Sequence, residues 1–185
     1  MLIDLQNAID DPAWRQFGER NNLTAEQNIA VLLSTWRQTA RPIYHIRHDS
    51  VQSTSPYRPR QHGNEFKPFA APQMSETVVA KRTNNAFIGT GLEPMLRKEG
   101  HDTLVVSGVI TNNSVEATVR MAGNLGFKTY LVADACYTFA RLDWNRRLWS
   151  AEDVHALSLS NLDGEYCTVI NTRQILQLLE IDGLG

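Results

Sequence analysis

Apolar residues follow two alternating patterns along this chain. Short unbroken apolar runs, as a strand buried on both faces requires, are separated by segments whose apolar residues recur every third or fourth position, as on one face of a helix. The runs predict strands at residues 2–5, 42–48, 77–80, 103–109, 129–133 and 165–170. Ile29, Leu32, Leu33 and Trp36 stripe one helix, Val115, Val119 and Ala122 another, and Ile175, Leu176 and Leu179 a last one. Thr24-Ala25-Glu26-Gln27 and Thr90-Gly91-Leu92-Glu93 read as capping boxes, the second opening a short helix that stops at Gly100. Ser150 reads as the cap of a helix carrying Val154, Leu157 and Leu162. Strand and helix alternate six times. The pattern predicts an α/β fold of three layers, Rossmann-like, with a six-stranded parallel sheet flanked by helices on both faces.

Residues 49–76 break the alternation. Pro56, Pro59, Pro68 and Pro72 argue against a regular element there, and irregular loops of that length in compact chains serve as lids or binding loops. The segment is expected to lie over a site or across a subunit interface, within one domain spanning residues 1–185.

Composition removes several classes of function. With 42% hydrophobic and 21% charged residues the chain is of ordinary globular type. A formal charge of −2, with no basic cluster beyond Arg58 and Arg60, gives no nucleic-acid footprint. The apolar runs fall short of the ~20 residues of a membrane helix, so no membrane partner is expected. No basic segment followed by an apolar one opens the chain, and Cys136 and Cys167 make no disulfide framework. They read as small core residues, and a cytoplasmic location is expected.

In an open parallel sheet, ligands bind beyond the carboxyl ends of the strands. Asp4, His48, Asp49, Lys81, the run Thr111-Asn112-Asn113-Ser114 and Asp134 stand at those ends. Each also has a structural reading: Ser114 as a helix cap, Asp4 and Lys81 as an ion pair, His48 as a hydrogen-bonded rim residue, and Asp134 as the cap of the loop after it. His48-Asp49 has no downstream His-x-His or Cys-x-x-Cys to complete a metal site. Neither G-x-G-x-x-G after a strand nor G-x-x-x-x-G-K-[ST] nor G-x-S-x-G occurs, so no organic cofactor is implied and a hydrolase elbow is not expected.

Three stretches then converge. "LIDLQNAI", "VVAKRTNNAFIGTGLEPML" and "SGVITNNSVEATVRMAGNLGFKTYLVADACYTF" resemble, in order and spacing, the isochorismatase-like cysteine hydrolase superfamily, and "HALSLSNLDGEY" resembles its penultimate helix. That family includes nicotinamidases, carbamoyl-amide hydrolases and isochorismatases. The resemblance implies a six-stranded parallel sheet, a homodimer or higher homo-oligomer, and a small-molecule substrate. It makes Asp4 the general acid/base, Lys81 the cation beside it and Ser114 the occupant of the nucleophile position, where the family's amidases carry cysteine. It also implies a cis peptide between Val109 and Ile110, with the backbone amides of Ile110 and Ser114 facing an oxyanion. By position, Gln6, Phe87, Tyr137 and the 49–76 arm are assigned to the pocket wall.

The serine changes the chemistry. A hydroxyl is far less acidic than a thiol, so attack requires a base within hydrogen-bond reach. A Lys81 ammonium at ~4 Å would favour ionised Asp4 by about 4 kcal/mol at an effective dielectric of 20, which makes it a poorer base. Three readings stand open: hydrolysis of a small amide, ureide or related C–N compound; vinyl ether hydrolysis by acid catalysis from Asp4; or small-molecule binding without chemistry.

Overall fold

The computed structural model describes residues 1–181. The strands are β1 (Leu2–Ile3), β2 (Tyr44–His48), β3 (Thr77–Lys81), β4 (Thr103–Val109), β5 (Lys128–Tyr137), a small antiparallel hairpin of β6 (Arg141–Leu142) and β7 (Leu148–Trp149), and β8 (Thr168–Ile170). Helices α1 (Ala25–Gln38), α2 (Leu92–Lys98), α3 (Glu116–Asn124), α4 (Ala151–Ser160) and α5 (Thr172–Ile181) fall between and after them. Six strands form one parallel sheet in the order β3-β2-β1-β4-β5-β8. No helix among the described residues is long and apolar enough to cross a membrane.

Two apolar layers sandwich the sheet. On one face Leu92 and Leu96 of α2 and Val119 and Ala122 of α3 pack with Ile46, Val106 and Leu131. On the other, Ile29, Leu32 and Leu33 of α1 and Ile175 of α5 pack with Leu2, Val109 and Val132. The core-facing stripes read from the sequence for α1, α3 and α5 therefore turn inward, with Trp36 and Leu176 half-buried at their edges. β4 can lie against β1 because Gly108 has no side chain. It sits at φ 130°, and a Cβ there would fall 2.3 Å from the Ile3 carbonyl oxygen.

Several local features differ from the sequence reading. β1 is only two residues long, because Asp4 turns out of the strand with a left-handed φ of 53°. β5 runs on to Tyr137, past the predicted end, since β4 and β5 resume pairing after a register shift between Val106 and Gly108. Asp134 thus lies inside a strand, and its carboxylate accepts from the amide and hydroxyl of Thr172 at the start of α5 rather than capping the following loop. Neither predicted capping box forms. Thr24 makes no side-chain capping bond, and Glu26, one position before the box's Gln27, pairs with Arg20, Lys67 and Tyr137. α2 starts only at Leu92, with Gly91 as its cap. Ser150 does cap α4, accepting from the Asp153 amide at 3.0 Å. That helix, however, turns Ala151, His155 and Ser158 inward and leaves Leu157 exposed, while Leu162 is buried beyond its end.

Candidate functional site

The sheet changes direction between β1 and β4: from β1 the chain builds outward through β2 and β3, and from β4 outward through β5 and β8. The crevice beyond the carboxyl ends of two such strands is where ligands bind in this architecture. Asp4 follows β1, Lys81 ends β3, and Ser114 follows β4 after the cis Val109–Ile110 peptide. Asp4, Lys81 and Ser114 are 4%, 1% and 6% exposed.

Lys81 holds the three together. Its Nζ lies 2.8 Å from Asp4 Oδ2, 3.0 Å from the Thr83 carbonyl oxygen, 3.2 Å from Ser114 Oγ and 3.4 Å from His48 Nδ1. An ammonium has three N–H groups for these four acceptors, so Ser114 and His48, the two more distant, compete for the third. The other Asp4 oxygen, Oδ1, is buried and has no hydrogen-bond partner.

Burial is the largest influence on all these groups. It raises the pKa of the Asp4 carboxyl above the ordinary carboxylate value, although Lys81 and the Ser114 hydroxyl pull the other way. This reverses the expectation that Lys81 would leave Asp4 a poor base. Lys81 is lowered by burial against the opposing pull of Asp4. His48 is lowered by burial and then by the Lys81 charge, which favours the neutral ring. Both cysteine thiols are buried and pushed up to about 12, which makes them poor nucleophiles.

Ser114 does not cap a helix. It lies inside a single π-helical turn, Thr111–Val115, that leads directly into α3, and no side-chain capping bond forms at either start. A helical backbone at that point turns the hydroxyl toward Lys81 instead of toward the amides ahead of it. α4 braces the turn. His155 Nδ1 lies 2.8 Å from Thr111 Oγ1, and Ser158 Oγ lies 2.6 Å from Glu116 Oε2 and 3.3 Å from the Thr111 carbonyl oxygen. These polar anchors explain why α4 faces inward with His155 and Ser158 rather than with its leucines.

Asp4 and Ser114, both hydrogen-bonded by Lys81, line a cleft of about 610 Å³, a volume suited to a small molecule. Asp4, Val109, Ile110, Asn113 and Ser114 line one end of it, with His48 beside them. Trp14 and residues from the 49–76 segment, including Ser50, Thr54 and Tyr57, form the opposite wall. The segment therefore folds over the site, tied down by Asn64, which donates to the His48 and Tyr57 carbonyl oxygens.

Gln6, Phe87 and Tyr137 do not line this cleft. Gln6 is fully buried and braces the chain: its amide donates to the His48 and Asn64 carbonyls and accepts from the His48 amide. Phe87 stacks on Phe127 in the core at 5.9 Å. Tyr137 donates to Glu26 and lies under the Arg20 guanidinium. The Asp49 carboxylate is taken up by Arg47, at 2.8 and 3.0 Å, and by Asn64. No group of three or more His, Cys, Asp or Glu residues among those described could hold a metal ion. Tyr57 and Trp14 were not foreseen, because the segments that carry them have no periodicity to reveal a buried face.

The arrangement brings together a hydroxyl, a cation and a buried carboxyl with one unpartnered oxygen at the end of a small cleft. It is suited to proton transfer combined with nucleophilic attack.

Known proteins share this arrangement of fold and chain. The family model described as the isochorismatase domain matches residues 1–174. A solved structure of an isochorismatase-family protein from Chromobacterium violaceum is 57% identical, superposes with a TM-score of 0.93, and is matched over 97% of this chain and 92% of that one. The isochorismatase family protein YrdC of Bacillus subtilis is 38% identical over 176 residues, 95% of this chain and 92% of its own. Maleamate amidohydrolase of Pseudomonas putida is 30% identical over 120 residues, 63% of this chain and 51% of its own.

Proposed function

The chain belongs to the isochorismatase family, and from that premise we propose that it hydrolyses a small amide, ureide or related C–N compound, with Asp4, Lys81 and Ser114 as its catalytic residues. One observation carries the reading: the Lys81 ammonium reaches both Asp4 Oδ2 and Ser114 Oγ at the cleft wall, while Asp4 Oδ1 stays unpartnered. The similarity to a maleamate amidohydrolase supports an amide C–N bond as the one broken.

Ser114 Oγ attacks the carbonyl carbon, and its proton passes to Asp4. The backbone amides of Ile110 and Ser114, both residues of the cleft wall, stabilise the oxyanion that forms. Asp4 returns the proton to the departing nitrogen as the C–N bond breaks, leaving an ester on Ser114. Water then attacks that ester with Asp4 again taking the proton, and Asp4 hands it to Ser114 Oγ as the C–O bond breaks, so that the acid product leaves and both groups are restored. Lys81 holds Asp4 in place and, by its hydrogen bond to Oγ, steadies negative charge as it develops there.

A second reading has its own support. A buried carboxyl with a raised pKa and an unpartnered oxygen also suits acid catalysis of vinyl ether cleavage, in which Asp4 protonates carbon and Ser114 only lines the wall. Assaying Ser114→Ala on a panel of primary amides, ureides and vinyl ethers separates the two. The proposal expects amide turnover by the parent protein and its loss, by about 1,000-fold or more, in Ser114→Ala. Vinyl ether turnover that survives Ser114→Ala and is lost in Asp4→Asn would establish the second reading in its place.

A further inference from the structure

We propose that Tyr57 is the substrate contact supplied by the 49–76 segment, and that through it the cleft selects uncharged amides and ureides over carboxylate-bearing ones. The inference rests on the cleft being the active site proposed above.

Tyr57 is only 7% exposed and lines the cleft. Its backbone is pinned: the carbonyl accepts from the Ser50 amide and from Asn64 Nδ2, and the amide donates to Ser55 Oγ. Its ring meets the His48 ring edge-on at 5.6 Å, which fixes its orientation beside the Asp4–Lys81 pair. The hydroxyl makes no hydrogen bond with any described residue, yet it is not among the buried unpartnered atoms, so it opens onto the cleft. Burial, reinforced by the nearby Asp4 charge, holds the phenol's pKa well above its ordinary value. At neutral pH the group is therefore a hydroxyl with a proton to donate, and its missing partner is an acceptor on the ligand.

The charges around the cleft decide what kind of acceptor. Asp4 and Asp11 line it, and no lysine or arginine does. Lys81 lies behind Ser114, already paired with Asp4, and burial favours the neutral form of His48. Arg58 and Arg60, either side of Pro59 in the same segment, are exposed and are not wall residues. A substrate carboxylate would lose its hydration here without gaining a counter-ion, and would face Asp11. A neutral carbonyl needs only a donor, and the Tyr57 hydroxyl is one. On this account the chain differs in preference from the relative named for maleamate, whose substrate bears a carboxylate.

The test compares butyramide with succinamate, its carboxylated analogue. Dissociation constants are measured by calorimetry on Ser114→Ala, with and without Tyr57→Phe, so that binding is read whether or not Ser114 is a nucleophile. The proposal expects butyramide to bind at least about 10-fold tighter than succinamate, and Tyr57→Phe to weaken butyramide by about 3- to 10-fold, the range of a lost neutral hydrogen bond. In the otherwise unaltered enzyme, Tyr57→Phe should raise KM more than it lowers kcat. Equal binding with and without the hydroxyl, tighter binding of succinamate, or no binding of butyramide would each overturn it. Failure of the amidase reading shows up separately, as turnover that survives Ser114→Ala.

Discussion

Asp4→Asn is expected to lower kcat/KM by about 100- to 10,000-fold, the usual contribution of a positioned general acid/base. The substitution preserves size, and the amide oxygen can still accept from Lys81, so the loss reports on proton transfer. Asp4 is the carboxyl that faces both Lys81 and the cleft, and burial raises its pKa above the ordinary carboxylate value. In the amidase mechanism it acts first as a base and must be ionised in the free enzyme. Activity of the parent protein should therefore rise as pH increases through the raised Asp4 value, placing the acid limb of the kcat/KM profile above the ordinary carboxyl range. Acid catalysis by the same group would give the opposite slope. A pH series on the parent protein and Asp4→Asn, with circular dichroism to confirm the fold, measures both.

Lys81→Met is expected to destabilise the protein at neutral pH by about 3–5 kcal/mol, because it leaves the buried Asp4 carboxylate without its cation. Lys81 and Asp4 are almost fully enclosed, and Lys81 is the ion-pair partner within 2.8 Å of Asp4. Without the ammonium, burial acts on Asp4 with less opposition and its folded pKa rises further. The sign of the pH dependence follows. Below the ordinary carboxyl pKa both folded and unfolded states are protonated and the deficit is smallest. As pH rises above that value the unfolded chain ionises first, so stability falls until the raised folded pKa is reached. Denaturant titrations of Lys81→Met between about pH 4 and pH 8 should show this loss with rising pH. A variant as stable as the parent at pH 7 would mean that the pair is dispensable to the fold.

Much of this was legible in the sequence because it follows from spacing. The apolar runs located all six strands of the sheet, and the three matched stretches carried Asp4, Lys81 and Ser114 to the ends of their strands. What stayed hidden depends on partners distant in the chain. The order of the strands is decided by which edges meet, and Gly108 revealed its role only once Ile3 lay against it. The inward face of α4 escapes periodicity because polar bonds from His155 and Ser158 to Thr111 and Glu116 replace an apolar stripe. Thr24-Ala25-Glu26-Gln27 has the letters of a capping box, yet the Thr24 side chain makes no capping bond at the start of α1. Tyr57 lay in a proline-rich segment where no pattern distinguishes a buried ring from an exposed one. The net shift of Asp4 is hidden for the same reason: Lys81 lowers its pKa as the sequence reading expects, but burial outweighs that pull and cannot be weighed without a structure.

If an ester on Ser114 links attack to hydrolysis, hydroxylamine intercepts it, and the product ratio reveals the intermediate. The primary amide and the methyl ester of one acid are each supplied to the parent protein with hydroxylamine present, and the ratio of hydroxamate to free acid is measured. A common acyl-enzyme forgets its leaving group, so the account predicts the same ratio from both substrates. Ratios that depend on the leaving group, or hydrolysis with no hydroxamate formed while Ser114→Ala remains active, would contradict it.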